Sequence, residues 1–415
     1  MANEKIQLKH FFTFIFILLL SGVSSAQNGT ALKQDIKTDL VYLSSDYLEG
    51  RESGKEGARM AADYIARRFE QIGLEPKGTD DTWFHEFDFN YYPNPHSKDN
   101  PEPRKGRNVV GYLDNGAVNT IIIGAHYDHL GMGISGSLHA GEPAIHNGAD
   151  DNASGVSAML NLAARLKAGE AKNNNYLFIS FSAEELGLIG SKAYADDPTI
   201  DFGKVNYMLN LDMVGRLKEE KVLAVGGAGT SPAWKPVLEN IQLHGIKVKT
   251  TDSGIGPSDH TSFYLKDIPV LFFFTGQHGD YHKPSDDANL INFKGIVEVT
   301  NYVMAVINEL DASEKLEFTK TKEEATESRR SYKVTLGVMP DYVYDGTGLR
   351  IDGVMEGRTA ANAGMLAKDV VIKIGDIEIK DIYGYMDALG KFNTGDKTTV
   401  VFLRDGKEMK TEVEF

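Results

Sequence analysis

Two aspartates stand side by side in HNGADDNASG (146–155), just ahead of an apolar helical pattern. One carboxylate there serves as a helix cap. A second, flanked by glycines and small residues, calls for another partner. The same residue types recur where apolar runs end. TIIIGA (120–125) is followed by His126 and Asp128, and YLFISF (176–181) by Glu184 and Glu185. NYMLNL (206–211) is followed by Asp212, and beyond PVLFFF (269–274) lies TGQHGDYHKPSDD, which holds Tyr281 and His282. Ligands of open α/β sheets bind at the carboxyl ends of strands, so four strands would deliver these groups to one rim. There is no cysteine, so the donors are nitrogen and oxygen only. Such a set suits Zn²⁺ and accepts Mn²⁺ or Co²⁺. So many carboxylates together would repel one another or be forced to protonate unless cations sit among them. Two ions sharing one aspartate of the pair resolve the repulsion.

The elements that must position these groups are legible in outline. The five apolar runs, including NVVGYL (108–113), are rich in β-branched and aromatic residues, and three are continuously hydrophobic. That suits central strands covered on both faces. Between them lie helical patterns at 55–74, 154–168 and 293–310. The expectation is an α/β fold: a mixed, mostly parallel, doubly wound sheet with helices on both faces.

The 415 residues are enough for two or three domains. At 41% hydrophobic and 25% charged the chain reads as globular. A formal net charge of −15 argues against a nucleic-acid partner. The start is basic (Lys5, Lys9), then apolar from Phe11 to Leu20, then SGVSSA with small residues at Ser24 and Ala26. This pattern predicts a signal peptide over 1–26, a periplasmic or secreted product, and no stable membrane insertion after cleavage. The charged, glycine-free stretch 311–330 reads as a linker between a 27–310 domain and a module at 331–415.

In order, His126-x-Asp128, GADDNASG, SAEELG, LDM (211–213) and DYHKPSD (280–286) resemble the co-catalytic di-zinc exopeptidases, the family of secreted bacterial leucyl aminopeptidases, glutamate carboxypeptidase and glutaminyl cyclases. The resemblance runs from about residue 39 to 310. It implies that His126, Asp151 and Asp212 hold one zinc and that Asp151, Glu185 and His282 hold the other. It further implies Glu184 as general base, Asp128 as the acid that orients His126, and a cis peptide after Asp151. Tyr281 is a candidate donor to the oxyanion. The activity implied is an aminopeptidase acting on peptides with a free N-terminus. A carboxypeptidase or dipeptidase, a glutaminyl cyclase and a non-catalytic peptide binder stay open as rivals. For the remaining residues the expectations are bland. Asp150 is a cap or supporting acceptor, and His129, His139 and His146 are surface-loop histidines. His260 is structural or a pocket wall, Arg216 makes a structural hydrogen bond, and His278 is an alternative to His282.

The last stretch, VTLGVM (334–339) followed by GLRIDGVMEGRTAANAGMLAKDVVIKIGDIEI (348–379), resembles a bacterial PDZ domain. The Leu336-Gly337-Val338 turn is then the place for a peptide or protein C-terminus. Pro340 departs from the pattern, because it has no N–H to offer an added strand.

Overall fold

Each apolar run read from the sequence forms a strand of one nine-stranded sheet. The computed structural model describes residues 35–92, 100–321, 334–341, 344, 346–354 and 357–415. The signal-peptide reading of 1–26 and the linker residues 322–330 lie outside the described residues. In chain order the first domain contains α1 (35–43), α2 (Glu56–Ile72), β1 (Glu75–Pro76), β2 (Phe84–Tyr91), β3 (Glu102–Leu113) and β4 (Thr120–His126). It continues with α3 (Gly155–Lys167), β5 (Asn175–Phe181), α4 (Ile189–Asp196), β6 (Val205–Leu211) and β7 (Val222–Gly226). It closes with α5 (Trp234–Asn240), β8 (Lys247–Thr250), α6 (His260–Tyr264), β9 (Val270–Phe274) and α7 (Phe293–Leu310).

The strand order is β1-β3-β5-β4-β6-β9-β7-β8, with β2 on β3. The central run β5-β4-β6-β9 is parallel. Around it the sheet is mixed: β3 meets β5 antiparallel, β1 and β2 meet β3 antiparallel, and β7 meets β9 antiparallel. The parallel part is thus the centre that carries the candidate ligands, and the flanks are antiparallel additions. Strands β4, β5 and β6 are buried along their whole length, because helices cover both faces. Ile121, Ile123, Phe178 and Leu209 pack with α1, α2, α3 and α7. The alternate residues Ile122, Leu177, Ile179 and Met208 pack with Tyr194 of α4 and Phe263 of α6. Each such side chain contributes ~1.5–3 kcal/mol of burial, so an Ile122→Ala change would cost ~2–5 kcal/mol. A rigid parallel centre follows, and with it a fixed carboxyl rim.

The chain after α7 stays on this domain for eleven residues. Leu316 donates its N–H to Asn206 Oδ1 at 2.8 Å, Thr319 to Thr230 O at 2.8 Å, and the Phe318 ring lies 5.6 Å from Tyr264. The C-terminal module then comprises β10 (Val338–Pro340), β11 (Leu349–Val354), α8 (Thr359–Asn362), β12 (Val370–Ile374), β13 (Ile377–Glu378), α9 (Ile382–Leu389), β14 (Lys397–Arg404) and β15 (Lys407–Glu414). Its sheet is antiparallel, ordered β10-β11-β12-β14-β15 with β13 on β12. It has its own core, in which Leu336, Ile351, Val371 and Val400 meet Tyr385 and Leu389 of α9.

Candidate metal centre

The parallel centre brings the expected ligands to one place. His126 is the last residue of β4, Asp212 follows β6 directly, Glu184 and Glu185 follow β5, and His282 lies in the loop beyond β9. His126 Nε2 lies 3.2 Å from Asp151 Oδ1 and 3.4 Å from Asp212 Oδ1. His282 Nε2 lies 3.1 Å from Asp151 Oδ2 and 3.1 Å from Glu185 Oε2. The two oxygens of Asp151 therefore face two different clusters. Each imidazole has its other nitrogen engaged: His126 Nδ1 is 3.3 Å from Asp128 O, and His282 Nδ1 is 3.0 Å from Gly136 O. With Nδ1 carrying the proton, both Nε2 lone pairs point at the carboxylates, as ligation requires.

Asp151 is held by a turn, Ala149–Ser154, whose backbone leaves the helical region at Asp151 and Asn152 before it leads into α3. Its geometry explains the small residues noticed in the sequence. A Cβ on Gly148, whose φ is +54°, would meet Asp151 O at 2.1 Å, and one on Gly155 would meet Leu211 O at 2.4 Å. The Asp151–Asn152 peptide bond is cis. Asn152 donates to Leu211 O at 3.0 Å and accepts from Gly155 N–H at 2.9 Å and Met213 N–H at 3.2 Å. Asp150 accepts from Gly215 N–H at 2.6 Å and Ser154 Oγ at 3.0 Å, so it is a buried supporting acceptor. The turn is thereby stitched to the end of β6, which fixes Asp151 relative to Asp212. Asp286 holds it from the other side, accepting the N–H groups of Asp150 and Asp151 at 2.9 and 3.1 Å.

Glu184 Oε2 lies 4.0 Å from His126 Nε2. Burial pushes its carboxyl well above the ordinary carboxylate range, with Asp259, Glu185 and Asp212 adding to the effect against His126. A carboxyl displaced in this direction accepts and holds a proton more readily than an exposed one. Asp128 is fully buried, accepts the Glu184 N–H at 3.1 Å and takes the Ser53 hydroxyl at 2.9 Å. Its carboxylate is 3.7 Å from His126 Nδ1, and its backbone oxygen is the nearer partner. Tyr281 stacks on His282 with ring centroids 3.8 Å apart. His278 turns to Asp150, at 3.2 Å from its Oδ2, and away from the Asp151 clusters. Arg216 donates to Asp280 at 3.1 Å, with Asp286 at 3.5 Å. His260 is buried and stacked on Phe272 at 4.7 Å.

The surface-loop expectation for two histidines is wrong. His139 is exposed, but His129 and His146 are buried. The cause is a long-range pairing: the tight turn Asp46–Arg51 packs against the chain after β4, with His129 N–H on Arg51 O at 3.1 Å and Gly131 N–H on Gly50 O at 2.9 Å. His129 Nδ1 lies 2.7 Å from Glu185 Oε1. Ligand atoms of His129, Asp151 and Glu185 fall within 4.8 Å of one another, as do those of His126, Glu184 and Asp212.

Three further residues escaped the sequence reading. Arg51 is fully buried and donates to four carbonyls: Tyr127 O (2.7 Å), Asn147 O (2.6 Å), Gly148 O (3.0 Å) and Leu43 O. Burial lowers its pKa to about 10 against the field of Asp128, Asp151, Asp286 and Glu185. Ser258 Oγ donates to Asp212 Oδ2 at 2.7 Å. Asp259 is fully buried, neither carboxylate oxygen has a hydrogen-bond partner, and burial pushes it up to about 7.

The donor set fits divalent ions. A tetrahedral ion with bonds of ~2.0–2.1 Å holds its ligand atoms ~3.3–3.4 Å apart, and the four histidine–carboxylate spacings above run from 3.1 to 3.4 Å. Asp212 Oδ1 is a buried acceptor with no hydrogen-bond partner. Asp128, Asp150, Asp151, Glu184, Asp212, Asp259 and Asp286 are all buried together, and against them stand the guanidiniums of Arg51 and Arg216 and the imidazoles of His126 and His282. Further positive charge is what such a set lacks.

The class is thus an α/β domain with a carboxylate-rich candidate metal site on the rim of its parallel strands, joined to a small antiparallel module. Residues 108–307 match the model of peptidase family M28, and residues 320–415 match that of the PDZ domain. The chain carries a peptidase family M28 domain followed by a PDZ domain. It is 32% identical over 181 residues to aminopeptidase YwaD of Bacillus subtilis, an alignment covering 40% of this chain and 39% of that protein. It is 29% identical over 186 residues to leupeptin-inactivating enzyme 1 of Streptomyces exfoliatus, covering 44% of this chain and 38% of that protein. The chain therefore spans about two fifths of the length of these curated relatives. A crystal structure of a zinc aminopeptidase from Bacillus subtilis shares the fold, with a TM-score of 0.54 and 18% identity over 70% of this chain and 98% of that one. Among the described residues, no helix is long and apolar enough to cross a membrane.

Proposed function

We propose that this protein is an exported zinc-dependent aminopeptidase that removes N-terminal residues from peptides. The observation that carries the reading is the division of Asp151, with one oxygen toward His126 and the other toward His282. His126, Asp151 and Asp212 would hold one ion, and Asp151, Glu185 and His282 the other. When bound, the pair of Zn²⁺ ions supplies a water of lowered pKa and polarises the scissile carbonyl. Glu184 takes the proton of the attacking water and delivers it to the leaving amine; its displaced carboxyl suits both transfers. Asp128 keeps Glu184 in place through its backbone N–H. The Tyr281 hydroxyl is the donor assigned to the tetrahedral oxyanion, its ring fixed by stacking on His282. The carboxylates of Glu184 and Asp212 receive the free ammonium of the substrate.

A carboxypeptidase on this scaffold would need a free cation for the substrate carboxylate. Arg216 is engaged by Asp280 and Asp286, and Arg51 is sealed among four carbonyls, which favours the free-amine reading. Export rests on the N-terminal pattern of charge and hydrophobicity. The PDZ domain would take peptide or protein C-termini at Leu336–Val338, where Gly337 has φ +70° and β10 is a sheet edge.

Hydrolysis of amino-acid nitroanilides with and without N-acetylation tests the activity. Cleavage of the free-amine substrates alone is expected, and equal cleavage of both would refute the assignment. Glu184→Gln should keep its zinc, counted by elemental analysis, and lose kcat by about 10²–10⁴-fold. Unchanged turnover in that variant removes Glu184 from the role.

A further inference from the structure

The two terminal carboxylate ligands share one arrangement. Asp212 presents Oδ1 to His126 at 3.4 Å, while its outer oxygen, Oδ2, accepts from the Ser258 hydroxyl at 2.7 Å. Glu185 presents Oε2 to His282 at 3.1 Å, while its outer oxygen, Oε1, lies 2.7 Å from His129 Nδ1. Each carboxylate is thus turned toward its cluster by a buried donor behind it. For Glu185 that donor is an imidazole whose side chain is fully buried. It is pinned by its backbone, with N–H on Arg51 O at 3.1 Å and a bridge to Glu52.

Two roles are chemically open to an imidazole beside a metal ligand: binding the ion, or donating to the ligand. The spacings separate them. His129 Nδ1 is 3.9 Å from Asp151 Oδ2, outside the 3.1–3.4 Å of the four ligand pairs. Its 2.7 Å approach to Glu185 Oε1 is that of a short charge-assisted hydrogen bond.

We infer that His129 is the positioning residue of the second ion: its Nδ1–H fixes the outer oxygen of Glu185 so that Oε2 stays aimed at the site shared with His282 and Asp151. The second ion then depends on a histidine–carboxylate pair, whereas the first depends on a serine hydroxyl. Partners of this kind are worth about 10- to 100-fold in metal affinity. The inference rests on the two-ion reading above.

The test is zinc titration of the metal-free full-length protein against a chelator of known affinity, for wild type, His129→Ala and His129→Asn. An asparagine amide can place a donor near the Nδ1 position. Wild type is expected to bind two ions. His129→Ala should keep the first at wild-type affinity and bind the second about 10- to 100-fold more weakly. His129→Asn should recover most of the loss. Two ions bound by His129→Ala with wild-type affinities would overturn the inference. So would equal weakening of both ions, which marks a general structural role, or a failed rescue by His129→Asn, which marks His129 as a ligand or a shape-filling ring. A single ion in wild type would instead sink the two-ion reading itself.

Discussion

The two clusters that share Asp151 are built differently. The first draws on strand ends: His126 closes β4 and Asp212 directly follows β6, with the His126 side chain 2% exposed. The second draws on loops: Glu185 lies past a turn beyond β5, and His282 sits at φ +54° beyond β9 with its side chain 14% exposed. Strand ends in a buried parallel sheet are among the least mobile parts of a fold, and loops among the most. The first site is therefore expected to hold its ion more tightly and exchange it more slowly than the second.

Removing the shared carboxylate should abolish the comparison altogether. Asp151→Ala is expected to lose both affinities and more than a thousandfold in turnover. One ion retained at full affinity, measured by elemental analysis after dialysis, would show that Asp151 is not shared. A smaller change should act on one side only. Ser258→Ala removes the donor behind Asp212, and about a tenfold weaker first ion is expected with the second unchanged. The same competition titration reads it, and a loss confined to the second ion would reverse the assignment of the two clusters.

The smallest effect expected is a pH trend in the metal-free protein. Folded Asp259 titrates at about 7 against an ordinary 3.8, and Glu184, Asp212 and Asp286 are also raised, burial being the main cause in each. Burial lowers His126 and His282, but neighbouring carboxylates outweigh it and hold both above their usual value. The folded state thus binds more protons than the unfolded chain above about pH 4, so stability falls as pH rises toward 7. Burial and Asp151 push Glu185 up, yet His282 and His129 hold it down to about 2, so its contribution is lost on further acidification. Burial pushes Asp151 up as well, yet chiefly His126 and His282 hold it well below its usual range, so stability of the metal-free protein should fall on strong acidification too. Zinc requires deprotonated ligands, so the rise in Tm on adding zinc should grow from pH 5 to pH 8. A rise that is flat across that range would mean these ligands do not take the ion.

The same contrast governs what could be read from the sequence. Ligands at strand ends announce themselves, because a continuous apolar run marks the strand and the next polar residue marks the rim. The helices at 56–72, 155–167 and 293–310 fall where the 3.6-residue pattern put them. The antiparallel flanks did not show: β7 and β8 are short, with half-buried or exposed positions, and only their neighbours decide their direction. His129 and Arg51 were missed for a related reason. Their burial depends on residues 50–52 meeting residues 129–131, a pairing about eighty positions apart that leaves no local periodicity. The signal present was the pair of glycines in EGRESG; a Cβ on Gly50 would lie 2.5 Å from Gly131 O.

Arg51 has a consequence for the metal-free protein. Its guanidinium is bonded entirely to main-chain oxygens from three segments, so hydrogen bonds from one side chain tie the chain around Leu43, Tyr127 and Asn147–Gly148 together. On the zinc reading proposed above, this tie should persist when a chelator removes the ion, and a metal-free protein that loses its cooperative thermal unfolding would show that it does not.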